Sequence, residues 1–423
     1  MIVTVTLNPS LDRAIEIDSL ARGDVIRARS GRLDPGGKGV NVSRALLANG
    51  VASRAVLPCG GDEGAQLVRL LAEEGVDLVA VPIGGHTRSN ITLAEPDGTV
   101  TKVNEPGPVL SPLEFDAVTG QVLAAAGTAG WVVVCGSLPP GVTPEAFGRL
   151  CRRIVAAGVR LAVDTSGPAL RAAAEAGAHL VKPNREELSE VVGHAIPSRS
   201  DVVSAADRVR AWGAGTVLAS LGAEGAILVT ADTVVSGAAV VPSPRSTVGA
   251  GDALLAGFLA ALSRAEAAVA ATTASPGVGS LTGHGVAATT GNVAADPTTR
   301  GTGAGGTAGN AGLGFTAANA GVAATAHNAG AGETTDNVGP SSTGDNASVL
   351  ATDDDADSAS VGGSGRGGAR RPELVAALAE GLAWGAAAVS LPGSRMPCPA
   401  DLRRDAVVIH PDSDLVRSLA SRG

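Results

Sequence analysis

Apolar residues recur along the first two thirds of the chain in two alternating ways. Short continuous runs, Ile2–Leu7, Trp131–Cys135, Arg160–Asp164, Leu180–Lys182 and Thr216–Ser220, read as buried strands. Between them, apolar positions three and four apart over Asn41–Asn49, Gly64–Glu74, Pro112–Ala126, Pro144–Ala157 and Ala205–Trp212 predict helices with one face on a core. Strand alternating with helix is the pattern of a mostly parallel central sheet with helices on both faces. Two stretches, about 13–32 and 88–104, break the rhythm with short strands and no helix between them, and Asp97-Gly98 in the second is a hairpin turn signal. They are expected to form a small β-sheet outside the main one, as a lid.

The pattern stops at Ala265. From there to Arg371, 107 residues hold twelve Val, Leu, Ile or Phe and 22 Gly. A large-apolar share near 11% is below the roughly 20% needed for a core. The segment 265–371 is therefore expected to be a disordered Gly/Ala/Thr/Asn-rich insertion. Its acidic knot, Asp353–Asp357, lacks the glycine and distal glutamate of a calcium loop. A helix over Glu373–Val389 resumes the domain, which is expected to comprise 1–264 and 372–423.

Composition narrows the partners. A net charge of −9 gives no electrostatic support for nucleic acid or a membrane surface. Cys59, Cys135, Cys151 and Cys398 have no metal or redox spacing and read as reduced thiols. The chain opens on a strand without a basic leader, and no uninterrupted apolar run reaches the roughly 18 residues of a membrane span. A soluble cytoplasmic protein is expected. Only Lys38, Lys102 and Lys182 are lysines among 32 basic residues, and all three fall in segments that read as site-building loops or strands.

Four segments carry candidate chemistry. Ser246-Thr-Val-Gly249-Ala-Gly251-Asp252 enters a helix through a glycine turn. It offers backbone N–H groups to an anion beside a carboxylate that could deprotonate a hydroxyl. An isolated aspartate in that position is equally a helix cap. Asp34-Pro-Gly36-Gly37-Lys38-Gly39-Val-Asn41 is a phosphate cradle or a plain helix entry. It matches neither the Walker A loop nor the dinucleotide fingerprint. Lys182-Pro-Asn184-Arg-Glu-Glu187 places Asn and Glu three apart, suited to a hydrated Mg²⁺ or to a capped helix start. Ser220-Leu-Gly222-Ala-Glu-Gly225 alone is a hairpin.

Together these segments resemble the ribokinase-like, PfkB-type carbohydrate kinases, closest to the 1-phosphofructokinases and tagatose-6-phosphate kinases. The resemblance covers nearly all of 1–264 and 372–423. It rests on Thr6–Asp12, Gly36–Asn41, Thr87–Asn90, Asn104–Pro108, Gly136–Gly141, Lys182–Glu187 and Thr247–Asp252; the insertion has no counterpart in it. It implies a ribokinase-like sandwich with a β-sheet lid. It implies Asp252 as catalytic base, and Gly249, Ala250 and Gly251 as anion hole. Asp12, Gly36, Gly37, Lys38 and Asn41 would bind the sugar, and Arg88, Asn90 and Ser137 its phosphate. Lys182, Asn184, Ser220, Gly222, Gly225 and Thr247 would bind ATP, and Glu187 would hold Mg²⁺ through water. Ser246, Val248 and Gly393–Arg395 would lie at a monovalent cation, and two copies would pair as a homodimer through the lid. The implied reaction converts D-fructose 1-phosphate to D-fructose 1,6-bisphosphate. The rivals are tagatose 6-phosphate or fructose 6-phosphate as acceptor, and a non-catalytic sugar-phosphate sensor that would consume no ATP.

Overall fold

In the computed structural model, residues 1–274 and 371–411 are described, and the five apolar runs all become strands of one sheet. These are β1 (Ile2–Thr6), β8 (Trp131–Cys135), β9 (Arg160–Asp164), β10 (Leu180–Val181) and β11 (Thr216–Ser220). They are joined by β4 (Ser53–Cys59), β5 (Leu78–Pro82), β12 (Ala226–Val229), β13 (Val234–Ala239) and β14 (Val407–Pro411). The order is β14-β13-β12-β11-β10-β9-β8-β1-β4-β5. Every pair from β11 to β5 is parallel, and β12, β13 and β14 extend that edge in antiparallel fashion.

Strand alternation sends neighbouring residues to opposite faces, and two cores result. Val3, Val5, Val132 and Val134 face one core, shared with Phe115 and Val118 of α3 (Pro112–Ala126), Phe147 and Leu150 of α4 (Pro144–Ala156) and Leu170 of α5 (Gly167–Glu175). Leu188 of α6 (Arg185–Val192) and Val202 of α7 (Arg199–Ala211) complete it. Ile2, Trp131 and Val133 face the other, with Val42 and Leu46 of α1 (Lys38–Ala48), Phe258 of α8 (Ala250–Ala274) and Leu378 and Trp384 of α9 (Arg371–Val389). Among the described residues α9 alone is long and apolar enough to cross a membrane; here Leu374, Leu378, Leu382 and Trp384 are buried in this second core.

The irregular stretches form the expected second sheet: β2 (Ser10–Glu16), β3 (Ser30–Gly36), β6 (Arg88–Ala94) and β7 (Val100–Asn104), ordered β3-β2-β6-β7. The β6–β7 hairpin turns over Glu95–Thr99, with Gly98 at φ 92°. Helix α2 (Gly61–Glu73) packs Leu67 and Leu71 against Leu11 and Leu33 at the root of this lid.

Several boundaries differ from the sequence reading: α2 starts at Gly61 rather than Gly64, α7 at Arg199 rather than Ala205, and the first lid stretch spans Ser10 to Gly36. Two further differences bear on the site and on the insertion. Helix α1 begins at Lys38, so that lysine stands in a first helical turn. Helix α8 runs past Arg264 to Ala274, because Ala265–Ala274 is alanine-rich and nothing in it breaks a helix. Glu266 on this extension pairs with Arg160 of β9. The rest of the expected insertion, 275–370, lies outside the described residues.

Candidate active site

In a helix-covered parallel sheet the loops at the carboxyl ends of the strands diverge and leave a crevice for ligands. Along that edge stand Asn8 after β1, Ser137 after β8, Asp164 at the end of β9, Lys182 after β10 and Ser220 at the end of β11, on strands adjacent in the sheet. Helix α1 adds Lys38 and Asn41, and the first turn of α8 adds Asp252.

Asp252 is 7% exposed and accepts a hydrogen bond from Asn41 Nδ2 at 2.8 Å. Burial pushes its pKa up to about 6; repulsion from Asp164 adds to this, and the Asn41 bond and both lysines oppose it. A carboxylate tuned in this way suits a general base near neutral pH. Asp164 is fully buried and lies between two ammonium groups, Lys38 and Lys182, each at 2.8 Å. Lys38 also reaches Glu187 at 3.1 Å. Burial alone would lower the Lys38 pKa, but the Asp164 and Glu187 carboxylates overcome it and raise it. Burial likewise works against ionisation of Asp164, and Lys182 and Lys38 hold its pKa low. The Lys182 ammonium lies 3.4 Å from where a Cβ on Gly251 would stand. Lys182 therefore sits against the Gly249–Gly251 turn, whose first-turn amides have no intrahelical acceptor.

The lid supplies a polar wall. Asp12 and Asn90 are register partners on β2 and β6. Asp12 Oδ1 accepts from Asn90 Nδ2 at 2.9 Å and from Ser10 Oγ at 2.7 Å. Gly36 lies against the Asp12 carboxylate, whose space any side chain there would take; Gly37 follows as the residue preceding α1. Arg88 donates to the carbonyls of Glu105 and Asn8, both at 3.0 Å. It borders a cavity of about 500 Å³ together with His86, Glu105 and Gly107.

Beyond β10, Asn184 and Glu187 form a capping box: Asn184 Oδ1 accepts from the Glu187 amide at 2.7 Å, and Glu187 Oε2 from the Asn184 amide at 2.9 Å. The helix-start reading of this pair is thus realised, and Glu187 Oε1 remains on the Lys38 side. Asn184 bridges to Ser220, which leads into the turn of Gly222 and Gly225. Thr247 is exposed in the loop before α8. The amides of Arg245 and Ser246 in that loop both reach the carbonyl of Val389, which ties it to the end of α9 just before Gly393–Arg395. Lys102 is exposed on β7 and does not join the other lysines.

The pattern of the pfkB family carbohydrate kinases matches residues 5–292. The chain belongs to that family. Its pfkB-family relatives include the 1-phosphofructokinase of Rhodobacter capsulatus, 38% identical over 263 residues that cover 61% of this chain and 82% of that protein. The ATP-dependent 6-phosphofructokinase isozyme 2 of Mycobacterium tuberculosis is 35% identical, over 62% of this chain and 78% of that one. Among solved structures, phosphofructokinase-2 from Escherichia coli in complex with fructose-6-phosphate matches at TM-score 0.59 and 35% identity, over 62% of this chain and 87% of that one. The same enzyme in complex with potassium matches at TM-score 0.59 and 36% identity, over 62% and 86% of the two chains.

Two buried residues of this cluster, Asp164 and Asn8, escape the sequence reading as individual candidates. A charged residue closing an apolar strand was the available signal for Asp164, since such a strand end borders the crevice. Asn8 lay inside the Thr6–Asp12 motif with nothing to single it out.

Proposed function

We propose that the chain transfers the γ-phosphoryl group of ATP to the free primary hydroxyl of D-fructose 1-phosphate, giving D-fructose 1,6-bisphosphate and ADP. The observation that carries this reading is the buried Asp252, held by Asn41 at the mouth of the Gly249–Gly251 turn, with the Lys182 ammonium against that turn. In this mechanism Asp252 takes the hydroxyl proton as the oxygen attacks the γ-phosphorus, and the bond to the bridging oxygen of ADP breaks. The Gly249, Ala250 and Gly251 amides with Lys182 stabilise charge on the transferring group. Asp12, Asn90, Gly36, Gly37, Lys38 and Asn41 orient the sugar. Arg88 and Ser137 hold its existing phosphate, where a guanidinium suits a dianion. Asn184, Ser220, Gly222, Gly225 and Thr247 receive the nucleotide.

Among the described residues no group of three or more His, Cys, Asp or Glu could cage a metal. Mg²⁺ keeps most of its water and takes one or two carboxylates with the substrate phosphates. Glu187 would hold it through water, and bound there it would neutralise charge on the phosphates; Asp164 is fully buried with both oxygens taken up by Lys38 and Lys182. Ser246, Val248 and Gly393–Arg395 are proposed for a monovalent cation, supported by the potassium complex of the Escherichia coli relative.

Relatives named for both 1-phosphofructokinase and 6-phosphofructokinase activity favour a second reading, with fructose 6-phosphate as acceptor. Initial rates on fructose 1-phosphate, fructose 6-phosphate and tagatose 6-phosphate at matched concentrations separate them. The highest kcat/KM is expected on fructose 1-phosphate; a higher value on either other sugar overturns the substrate assignment. We extend the reading to a homodimer joined through the lid.

A further inference from the structure

We infer that Asn8 is a positioning residue of the acceptor pocket, whose carboxamide clips three loops together and thereby sets Arg88 and Ser137. The inference rests on the reading above that these two side chains hold the substrate's phosphate.

Asn8 is 4% exposed and sits between β1 and β2. Its Nδ2 donates to the Pro106 carbonyl at 3.0 Å and to Ser137 Oγ at 3.3 Å. Its own carbonyl accepts from Arg88 Nη2, while Arg88 Nη1 donates to the Glu105 carbonyl. Arg88 therefore spans two loops, one led by Asn8 and one by Glu105, and the Asn8 side chain joins those same loops a residue further on. The third loop, after β8, is held through Ser137. Only an amide nitrogen can face the Pro106 carbonyl, so the side-chain orientation follows from the bonds. The amide oxygen has no hydrogen-bond partner among the described residues. It packs on the Cα of Gly107, where φ is 93° and a Cβ would collide with it.

The clip leaves donors over for an anion. Because the Ser137 hydroxyl accepts from Asn8, its proton is free to be donated onward. Arg88 uses one N–H of each terminal nitrogen on a carbonyl, and its buried Nε has no partner among the described residues. The second N–H on each terminal nitrogen and the Ser137 hydroxyl suit a phosphate dianion. Without Asn8 these donors stay present, and the loops that aim them come apart.

Steady-state kinetics on Asn8→Ala, Arg88→Ala/Ser137→Ala and the combined variant test this as a double-mutant cycle. In the otherwise unchanged enzyme, Asn8→Ala is expected to raise KM for the sugar phosphate about 10- to 100-fold. kcat should stay within about threefold and KM for ATP within about twofold, as for an interaction equal in ground and transition states. In the Arg88→Ala/Ser137→Ala background the same change should add less than about twofold, because the groups it positions are gone. Gly107→Ala, which crowds the amide from its other side, should show the same KM signature and provides the test if Asn8→Ala does not fold. A raised KM in Arg88→Ala/Ser137→Ala together with an equal Asn8→Ala factor in both backgrounds overturns the clip alone. An unchanged KM in Arg88→Ala/Ser137→Ala overturns the phosphate reading, and the clip with it.

Discussion

Asp252 is costly to ionise where it stands, because burial and the nearby Asp164 carboxylate both favour its neutral form. As the base it must be ionised in the free enzyme. We therefore expect kcat/KM to climb about tenfold per pH unit below about 6 and to level above it; a limb centred near 4 would place the base elsewhere. Asp252→Asn should lower kcat by about 10²–10⁴ and leave ATP binding intact, read by turnover and calorimetry. Stability follows the opposite sign. A carboxyl whose folded pKa is raised stabilises fully below its unfolded pKa, and that contribution is lost as pH rises through about 6. Asp252→Asn should hence melt later than the parent at pH 8, with the difference gone at pH 3.5. Asp164→Asn is the contrasting case. It strands Lys182, 3% exposed, and leaves Lys38 with Glu187 alone, and should cost about 3 kcal/mol in urea unfolding. The two aspartates differ as well in how visible they are in sequence. Asp252 follows a Gly-Ala-Gly turn that has its own chemistry. Asp164 ends an apolar strand, and its meaning comes only from lysines 126 and 18 residues away that the fold brings to it.

At the scale of elements, uniform apolar runs were legible to the residue: β8, β9 and β11 match their predicted bounds, and so does α3, closed by Ser111 and Glu114 in a capping box. What was not legible had mixed signals. Strand β4 carries Pro58, β13 carries Gly237, and α6 is charged along much of its length. The end of α8 is the instructive miss, since a composition count over 107 residues averages away a helix at its margin. The extension is fastened: Glu266 pairs with Arg160, whose guanidinium lies 4.6 Å from the Trp131 ring centroid. On the α9 side Glu380 gathers Arg264, Arg404 and the Trp384 indole. Helices α8 and α9, on the two sides of the junction, pack against each other. Replacing 275–370 with a short Gly/Ser linker should leave kcat and sugar KM within about twofold. Cutting back to 264 instead removes Glu266 and should lower stability by about 1 kcal/mol in a denaturant titration. An inactive linker variant would show that the replaced segment contributes to the site.

The lid raises the question of what covers it at the scale of the whole molecule. Alternation puts Asp12 and Asn90 on one face and Arg13, Ile15, Ile91, Leu93 and Val103 on the other. The first face is polar and belongs to the proposed acceptor wall. On the second, α2 shelters Leu11 and Leu33 at the root, but no residue of β6 is fully buried and Val103 is 54% exposed. A small sheet with both faces wet is marginally stable, and an apolar stripe beside an open strand edge invites pairing. A second copy of the same stripe would cover it by two-fold symmetry without touching the polar face. Sedimentation equilibrium should therefore give twice the 41.3 kDa chain mass. Val103→Arg and Leu93→Arg should each bring the particle to the single-chain mass and raise KM for the sugar phosphate, because Arg88 and Asn90 share strand β6 with Leu93. A wild-type monomer, or a dimer indifferent to both substitutions, would show that the stripe is not the interface.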